Sequence, residues 1–250
     1  MTSSRPILSV QGVSKNFGGV QAVKDLSFHI QAGELLGLIG PNGSGKTTAV
    51  NLVGGHIKPT KGRILFKDME ITGKPAYQIV RMGLARTFQM VKPFYRLPAY
   101  KNMIIPLFSP RVRQFAGGRY GDRDAVALDL LEEVGFERDA RVAYKTANAL
   151  PQGYLKRLEL AKAMALRPDL LILDELFSGL SLAEVAGMVP IIEKLQLEGM
   201  TILMIEHRLK ELFRIADRVM VLNQGEKIAE GRPEKVMADE AVKKAYLGSE

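Results

Sequence analysis

The sequence predicts an α/β protein whose sheet is largely parallel. Apolar segments of strand length alternate along the chain with segments of helical character, an order typical of helices that connect parallel strands. A glycine-rich turn also joins one predicted strand, which ends near Ile39, to a predicted helix that starts at Lys46. We therefore expect helices packed on a sheet whose strands run mostly in the same direction.

The first ninety residues contain half of the predicted strands. Gly18-Gly19 and Gly33 separate three apolar segments, and glycines between apolar runs are typical of turns between strands. After the glycine-rich turn the residues change to a helical mixture. We predict strands at 7–10, 26–30, 34–39 and 63–66 and helices at 46–53 and 76–82.

Residues 90 to about 150 differ in character from the rest. This segment contains several prolines, the pair Gly117-Gly118 and an amphipathic run at 125–134, which together indicate an inserted helical lobe with a loop inside it. The alternation of strand and helix then resumes. We predict helices at 153–166 and 182–197, strands at 170–173, 201–205, 218–222 and 227–230, and two short helices at the end.

The composition indicates a folded chain that is attracted to anions. Hydrophobic residues make up 46% and charged residues 25% of the 250 residues, close to the averages of globular domains. The net charge of +8 favours binding to phosphate, nucleic acid or an anionic membrane surface. The chain has no cysteine, which excludes disulfides and cysteine-ligated metals. No segment has the length of a membrane span or the pattern of a signal peptide, so we expect any membrane role to come through a partner.

The strongest motif is the sequence G-P-N-G-S-G-K-T, which matches G-x-x-x-x-G-K-[ST] between a predicted strand and a predicted helix. Its glycines let backbone N–H groups converge on phosphate oxygens, and the following helix points its positive end at the same anion. Lys46 adds a positive charge, and the Thr47 hydroxyl is placed to bind Mg²⁺. We predict that ATP and Mg²⁺ bind here, at Gly40, Pro41, Asn42, Gly43, Ser44, Gly45, Lys46, Thr47 and Thr48.

Two adjacent carboxylates follow a second buried strand. The apolar run 170–173 ends in Asp174-Glu175, at the carboxyl end of a strand, where open α/β sheets bind their ligands. Successive side chains of a strand diverge, so one carboxylate can meet the metal while the other faces the attacking water. We predict that Asp174 binds Mg²⁺ and that Glu175 is the general base.

The order of these motifs resembles that of ATP-binding cassette (ABC) ATPases, the motor subunits of ABC transporters, over nearly the whole chain. The resemblance implies a P-loop NTPase core with a mostly parallel sheet, an antiparallel β subdomain and an inserted helical subdomain. It also implies one domain over residues 1–250, with the core at about 1–89 and 160–250 and the helical subdomain at about 90–159.

Three further residues match family positions. Phe17 matches the aromatic residue that stacks on adenine, although alone it is equally consistent with a core phenylalanine. Gln89, in the sequence R-T-F-Q, matches the glutamine that approaches the metal and the attacking water; alone, it would be more typical of the surface. His207 matches the histidine that contacts the γ-phosphate, whereas a lone histidine at a strand end is usually structural.

The family's signature, L-S-G-G-Q, is altered in this chain. It reads L-P-Q-G-Y here, with Pro151 in place of the serine, so the usual hydroxyl is missing. Gly153 and the start of a helix remain, and backbone donors can still meet a phosphate. We expect ATP to contact Leu150, Pro151, Gln152 and Gly153, with weaker or slower closure of the dimer. Leu176 replaces a usual proline and Ser181 a usual aspartate, both beside the expected dimer interface.

Within the family the chain is similar to the ATP-binding subunits of branched-chain amino acid importers, on the segments 83–89, 205–208, 228–231 and 245–248. This resemblance implies a second ABC ATPase, identical or paralogous, two transmembrane permease subunits and a solute-binding protein that acts through them. It implies a peripheral position on the cytoplasmic face of the membrane. Related importers of other small polar solutes share these features, so the cargo stays open.

Two surfaces of the inserted lobe are expected to face the membrane partner. The segment from Met90 to Pro106 carries Phe94 and Tyr95 beside Gln89, and we expect a permease helix to bind there. A group of arginines follows, and we expect it to face the membrane side. These are Arg111, Arg113, Arg119 and Arg123.

Two alternative functions remain at this point. A P-loop kinase of a small metabolite would also need a phosphate loop and an acidic strand, but not Gln89, Gly153 and His207. A nucleic-acid-linked ABC ATPase would suit the charge of +8. Such proteins usually have two cassettes or a long coiled-coil insertion, which this sequence lacks, so we expect no nucleic-acid partner.

Overall fold

A computed structural model describes residues 5–115, 122–137 and 141–247. The chain divides into two compact units, of which the first contains Met1–Ile79 and Gln196–Glu250 and the second Val80–Leu195. Among the described residues, no helix has both the length and the apolar character that a membrane span requires.

The first unit contains a four-stranded antiparallel sheet. Its strands are β1 (Leu8–Phe17), β2 (Val20–Ile30), β4 (Lys61–Phe66) and β5 (Met69–Glu70), in the order β2-β1-β4-β5. The two long strands form a hairpin at the turn Gly18-Gly19, in which Val10 lies opposite Phe28, and alternate residues are buried at the end where Leu8 pairs with Ile30.

The first unit also contains a second group of strands, which run mostly parallel. The central strand β3 (Leu35–Ile39) pairs in parallel with β8 (Thr201–Ile205) and β9 (Arg218–Asn223), and β9 forms an antiparallel hairpin with β10 (Glu226–Gly231). All residues of β3 and β8 are buried, as expected for strands covered on both faces. The helices of this unit are α1 (Lys46–Val53), α8 (Leu209–Ile215), α9 (Pro233–Ala238) and α10 (Glu240–Leu247).

The second unit contains one parallel pair of strands and several helices. β6 (Leu84–Arg86) pairs with β7 (Leu170–Asp174), whose residues are all buried. Helix α2 (Ala76–Met82) links the two units in sequence, and α7 (Leu182–Leu197) ends two residues beyond the second unit. The remaining helices are α3 (Ile104–Leu107), α4 (Pro110–Phe115), α5 (Arg123–Glu133) and α6 (Gln152–Met164).

The structure confirms the predicted fold class. The parallel pairs lie where the alternation of strand and helix predicts them, and Asp122 is the N-cap of α5, with its carboxylate accepting from backbone N–H groups of the first turn. Two predicted strands were too short, because β1 and β2 continue as an antiparallel ladder interrupted by bulges that break the alternation of apolar residues. The three-residue strand β6 was not predicted.

Arg111 corrects the expectation of an arginine group on the surface. Its side chain is buried, and its guanidinium donates to the carbonyl oxygens of Leu166 at 3.2 Å and Arg167 at 2.7 and 3.0 Å, and to Asp169 Oδ2 at 2.7 Å. It therefore ties α4 to the segment that enters β7. Arg113 is exposed, while Arg119 lies outside the described residues. The guanidinium of Arg123 lies 3.8 Å from the Phe108 ring centroid.

We expect Arg111→Met to lower the free energy of unfolding by about 2–4 kcal/mol, because it leaves the Asp169 carboxylate and buried carbonyl oxygens without their cationic donor. The control Arg113→Met removes an exposed arginine from the same helix and should change stability by less than about 0.5 kcal/mol. Urea unfolding of both variants measures the difference. Equal stability of the two would contradict a structural role for Arg111.

Candidate functional site

The phosphate loop lies between β3 and α1, at the carboxyl end of the central strand. Two of its glycines are required by close contacts. A Cβ atom on Gly40 would lie 2.1 Å from the Leu222 carbonyl oxygen, and one on Gly45, whose φ is +102°, would lie 2.6 Å from the Ala22 carbonyl oxygen. Gly45 is the N-cap of α1, so the loop leads into the first turn of a helix, whose N–H groups have no partner within the helix.

The Lys46 side chain closes this loop on itself. It is buried, and its Nζ donates to the carbonyl oxygens of Gly40 at 2.8 Å and Pro41 at 3.0 Å. The ammonium thus lies inside the curve of the loop, where a positive charge can meet phosphate oxygens. Thr47 is exposed in the first turn of α1, directly after Lys46.

Two distant segments support the loop. The Ser44 carbonyl oxygen accepts a hydrogen bond of 3.0 Å from the Gly225 N–H in the β9–β10 turn, and the Gly225 carbonyl accepts one of 2.8 Å from the Lys24 N–H. In α10, burial raises the pKa of Tyr246 above its ordinary 10.0, while a backbone hydrogen bond from Gly40 opposes this rise. The sequence analysis missed both supports, because neither has a local motif.

His207 and Phe17 are the other predicted site residues in the first unit. Ile205 pairs with Leu38, so His207 and Gly40 each lie two residues beyond this pair, at the same edge of adjacent parallel strands. His207 is exposed there. The Phe17 ring, at the end of β1, is 50% exposed, so this residue is not a core phenylalanine.

Asp174, in the second unit, forms a buried ion pair. Its Oδ2 accepts a hydrogen bond of 2.7 Å from Arg86 Nη2, and both side chains are 7% exposed. The Asp174 backbone N–H donates to Thr87 Oγ1 at 3.3 Å. Arg86, the last residue of β6, and Thr87, directly after it, therefore hold Asp174 at the end of β7. Arg86 was not predicted as a site residue, and its place before Thr87 in R-T-F-Q is the only local signal.

Glu175 lies in direct contact with Gln89. The Gln89 Nε2 group donates to the Glu175 carboxylate, and the backbone of Glu175 is left-handed, with φ of +48°. The Lys156 Nζ donates to the carbonyl oxygens of both residues, at 2.8 Å to Gln89 and 3.2 Å to Glu175. The second unit thus brings together the predicted base and the predicted glutamine. Lys156 is a contact that the sequence analysis missed.

The altered signature forms the start of α6. Pro151 is the N-cap, Leu150 is buried, and the Gly153 N–H donates to Glu184 Oε1 at 3.1 Å. The other carboxylate oxygen of Glu184 accepts bonds of 2.8 Å from both the N–H and the hydroxyl of Ser181. Ser181 and Glu184 therefore form a capping box at the start of α7, a role that a serine performs well in the position of the usual aspartate.

These hydrogen bonds lower the pKa of Glu184 below its ordinary 4.5. The backbone N–H and hydroxyl of Ser181 contribute most, and burial opposes them. Glu184 connects the signature to the segment that contains Ser181. In the sequence, the S-x-x-E spacing of Ser181 and Glu184 is the local pattern that could have predicted this capping box.

The predicted metal ligands offer oxygen donors only. These donors are the Thr47 hydroxyl, the Asp174 carboxylate and the Gln89 side-chain carbonyl. Hard oxygen donors of this kind fit Mg²⁺, which binds few protein ligands and keeps several water or phosphate ligands. Asp174 Oδ2 accepts from Arg86, so Asp174 Oδ1 is the oxygen with which this carboxylate would bind a metal.

Two family profiles match the chain: "ABC transporter" at residues 23–178 and "Branched-chain amino acid ATP-binding cassette transporter" at residues 226–250. The high-affinity branched-chain amino acid transport ATP-binding proteins BraF of Pseudomonas aeruginosa and LivG of Escherichia coli are each 38% identical to it, with 98% of this chain and 99% of each relative covered. A nucleotide-free ATP-binding cassette from an ABC transporter superposes with a TM-score of 0.87 at 27% identity, covering 98% of this chain and all of that one.

The lowered pKa of Glu184 predicts a pH-dependent contribution to stability. A carboxylate with a lowered pKa stabilises the folded state above its unfolded pKa, and this contribution is lost as the pH falls through the lower folded value. We expect wild type to be more stable than Glu184→Gln near pH 6, with a difference that shrinks below about pH 4.5. Thermal unfolding from pH 3 to 6 measures this. A constant difference across that range would contradict the assignment.

Proposed function

Because the chain belongs to the ABC transporter family of ATPases, we propose that it drives the uptake of branched-chain amino acids or of a related small polar solute. The supporting observation is full-length similarity to BraF and LivG, which extends through the C-terminal segment matched at residues 226–250. A likeness limited to the phosphate loop would suit many ATPases, whereas the match of residues 226–250 to the branched-chain amino acid transporter profile favours one transporter group.

In the proposed reaction, ATP binds to the phosphate loop through backbone N–H groups and Lys46. The Lys46 ammonium leaves its carbonyl partners in the loop for phosphate oxygens, which are stronger acceptors because they are charged. Glu175 accepts a proton from the attacking water, and Gln89, already bonded to Glu175, orients that water. His207 stabilises the charge that develops on the γ-phosphate. Phe17 offers an exposed ring to adenine.

Mg²⁺, when bound to Thr47, Gln89 and Asp174, would neutralise charge on the phosphate oxygens. The Arg86 ion pair fixes the Asp174 side chain, so this ligand is oriented before nucleotide arrives.

A second cassette, identical or paralogous, is the proposed partner for hydrolysis. In the head-to-tail arrangement of the family, the phosphate loop of one subunit faces the signature of the other, here Leu150, Pro151, Gln152 and Gly153. The Gly153 N–H currently donates to Glu184, so a γ-phosphate would replace a carboxylate as its acceptor. The single domain over 1–250, with a helical subdomain at about 90–159, remains part of this proposal.

The segment 88–108 is the proposed binding surface for the transmembrane permease subunits. It contains a concentration of large apolar side chains that are more than one third exposed, and Phe88, Ile105 and Pro106 line a groove of about 270 Å³. An apolar surface of this kind suits a helix of a partner protein. The exposed residues are Phe88, Met90, Phe94, Tyr95, Leu97, Ile104, Ile105 and Phe108.

This assembly would place the chain on the cytoplasmic face of the membrane, held there by the permease, with a solute-binding protein acting from the other side. Neither alternative function gains support from the relatives named above, which are transporter ATP-binding proteins.

We expect Glu175→Gln to lower the rate of ATP hydrolysis by about 10²- to 10⁴-fold, because the amide cannot accept a proton from water. Nucleotide affinity should be retained, and an ATP-bound dimer should accumulate. Phosphate release, binding of a fluorescent ATP analogue and size-exclusion chromatography measure these three outcomes. A variant that hydrolyses ATP at the wild-type rate would exclude Glu175 as the base.

We expect Phe94→Ala to weaken assembly with the permease subunits, because it removes an exposed ring from the centre of the apolar segment. The amount of chain that copurifies with the solubilised permease measures this effect. Leu197→Ala is the matched control, since Leu197 is 88% exposed but lies outside the segment. If both variants copurified with the permease in equal amounts, the segment 88–108 would not be the binding surface.

A further inference from the structure

Lys156 is the most deeply buried cation among the described residues. Its side chain lies on α6, four residues after the helix begins, and is only 1% exposed. Lysine is rarely buried to this extent unless its ammonium is hydrogen-bonded to protein groups, because removing a charge from water is unfavourable. The ammonium here donates to carbonyl oxygens at 2.8 Å and 3.2 Å, which belong to Gln89 and Glu175.

Both partners are residues to which hydrolysis is assigned. Gln89 follows β6 and Glu175 follows β7, and their side chains are hydrogen-bonded to each other. The backbone at Glu175 is left-handed, a conformation that is unfavourable for residues other than glycine and persists only where surrounding contacts hold it. The bond from Lys156 to the Glu175 carbonyl oxygen is one such contact. A single ammonium therefore fixes the backbone on both sides of the contact between the two catalytic side chains.

We propose that Lys156 is a positioning residue for ATP hydrolysis, which holds Gln89 and Glu175 in their relative orientation by binding both backbone carbonyls. This inference rests on the proposed function. It also connects the two side chains to the signature, because Lys156 and Gly153 lie on the same helix, α6, within its first two turns. Lys156 touches neither nucleotide nor water in this role and acts only through the two residues that it binds.

The position of Lys156 predicts a specific kinetic effect. Nucleotide binding is assigned to the phosphate loop and Lys46, whereas Lys156 binds the two residues to which hydrolysis is assigned. Loss of the ammonium should therefore lower kcat by about ten- to hundredfold, because the base and the glutamine are displaced from the productive geometry. The KM for ATP and the affinity for a fluorescent ATP analogue should change by less than about twofold.

The experiment compares three variants of the full-length chain. Lys156→Met has a similar length and cannot donate a hydrogen bond, Lys156→Gln keeps a neutral donor, and Lys156→Arg keeps a charged donor with several N–H groups. We expect kcat to fall most for methionine and least for arginine. Lys162→Met is the matched control, because Lys162 lies on the same helix and pairs with Glu159 at 2.9 Å. Thermal unfolding shows which variants are folded.

Each outcome decides the proposal. Folded Lys156→Met with wild-type kcat would overturn it, as would a raised KM at unchanged kcat. If Lys156→Met does not fold, the other two variants decide. A higher kcat for Lys156→Arg than for Lys156→Gln supports the positioning role, and equal kcat values overturn the proposal. Failure of all three variants to fold would show that the role is structural and would also overturn it. The proposed function fails separately, if the wild-type chain does not hydrolyse ATP at all.

Discussion

Burying a cation is unfavourable unless its donors are satisfied, and the loops of this chain are arranged around that constraint. Lys46, Arg111 and Lys156 are each at least nine-tenths buried, and each donates to backbone carbonyl oxygens at a turn. If a carbonyl bound in this way moved, the buried cation would lose a hydrogen-bond acceptor, which is unfavourable. The curve of the phosphate loop and the segment that enters β7 are therefore fixed before any ligand binds. Preorganisation of this kind limits the rearrangement of the loop on phosphate binding to the Lys46 ammonium, which exchanges its partners.

The departures from the family's usual residues are consistent with the local structure. Pro151, at the N-cap of α6, has φ of −56° and ψ of 157°, values that a proline adopts without strain. Ser181 replaces an aspartate at a helix start where serine is equally suited to cap the first turn. Leu176 replaces a proline and is buried in the core. These residues are therefore compatible with the fold around the signature, and only Pro151 replaces a polar side chain with an apolar one.

Much of the fold and part of the candidate site could be predicted from the sequence. The phosphate loop and the acidic pair are local motifs, so spacing along the chain predicts them, and the alternation of strands and helices predicts the parallel pairs. Arg86 and Lys156 could not be found in this way, because their partners lie up to 88 residues away and become neighbours only when strands pair and helices pack. Glu184 has a local signal in its spacing from Ser181, but its contact with Gly153, 31 residues away, has none. Arg111 was misplaced for the same reason, since local composition cannot distinguish a surface arginine from a buried one.

The left-handed backbone of Glu175 has a consequence for the evolution and engineering of this chain. Glycine or asparagine would suit φ of +48° better than glutamate, so the position is occupied by a residue that is not the most stable choice for its backbone. A directed-evolution experiment that selects only for thermostability should therefore repeatedly enrich substitutions at this position. Such variants would gain stability while losing the carboxylate, so selection for heat resistance and selection for transport would favour different residues at the same site.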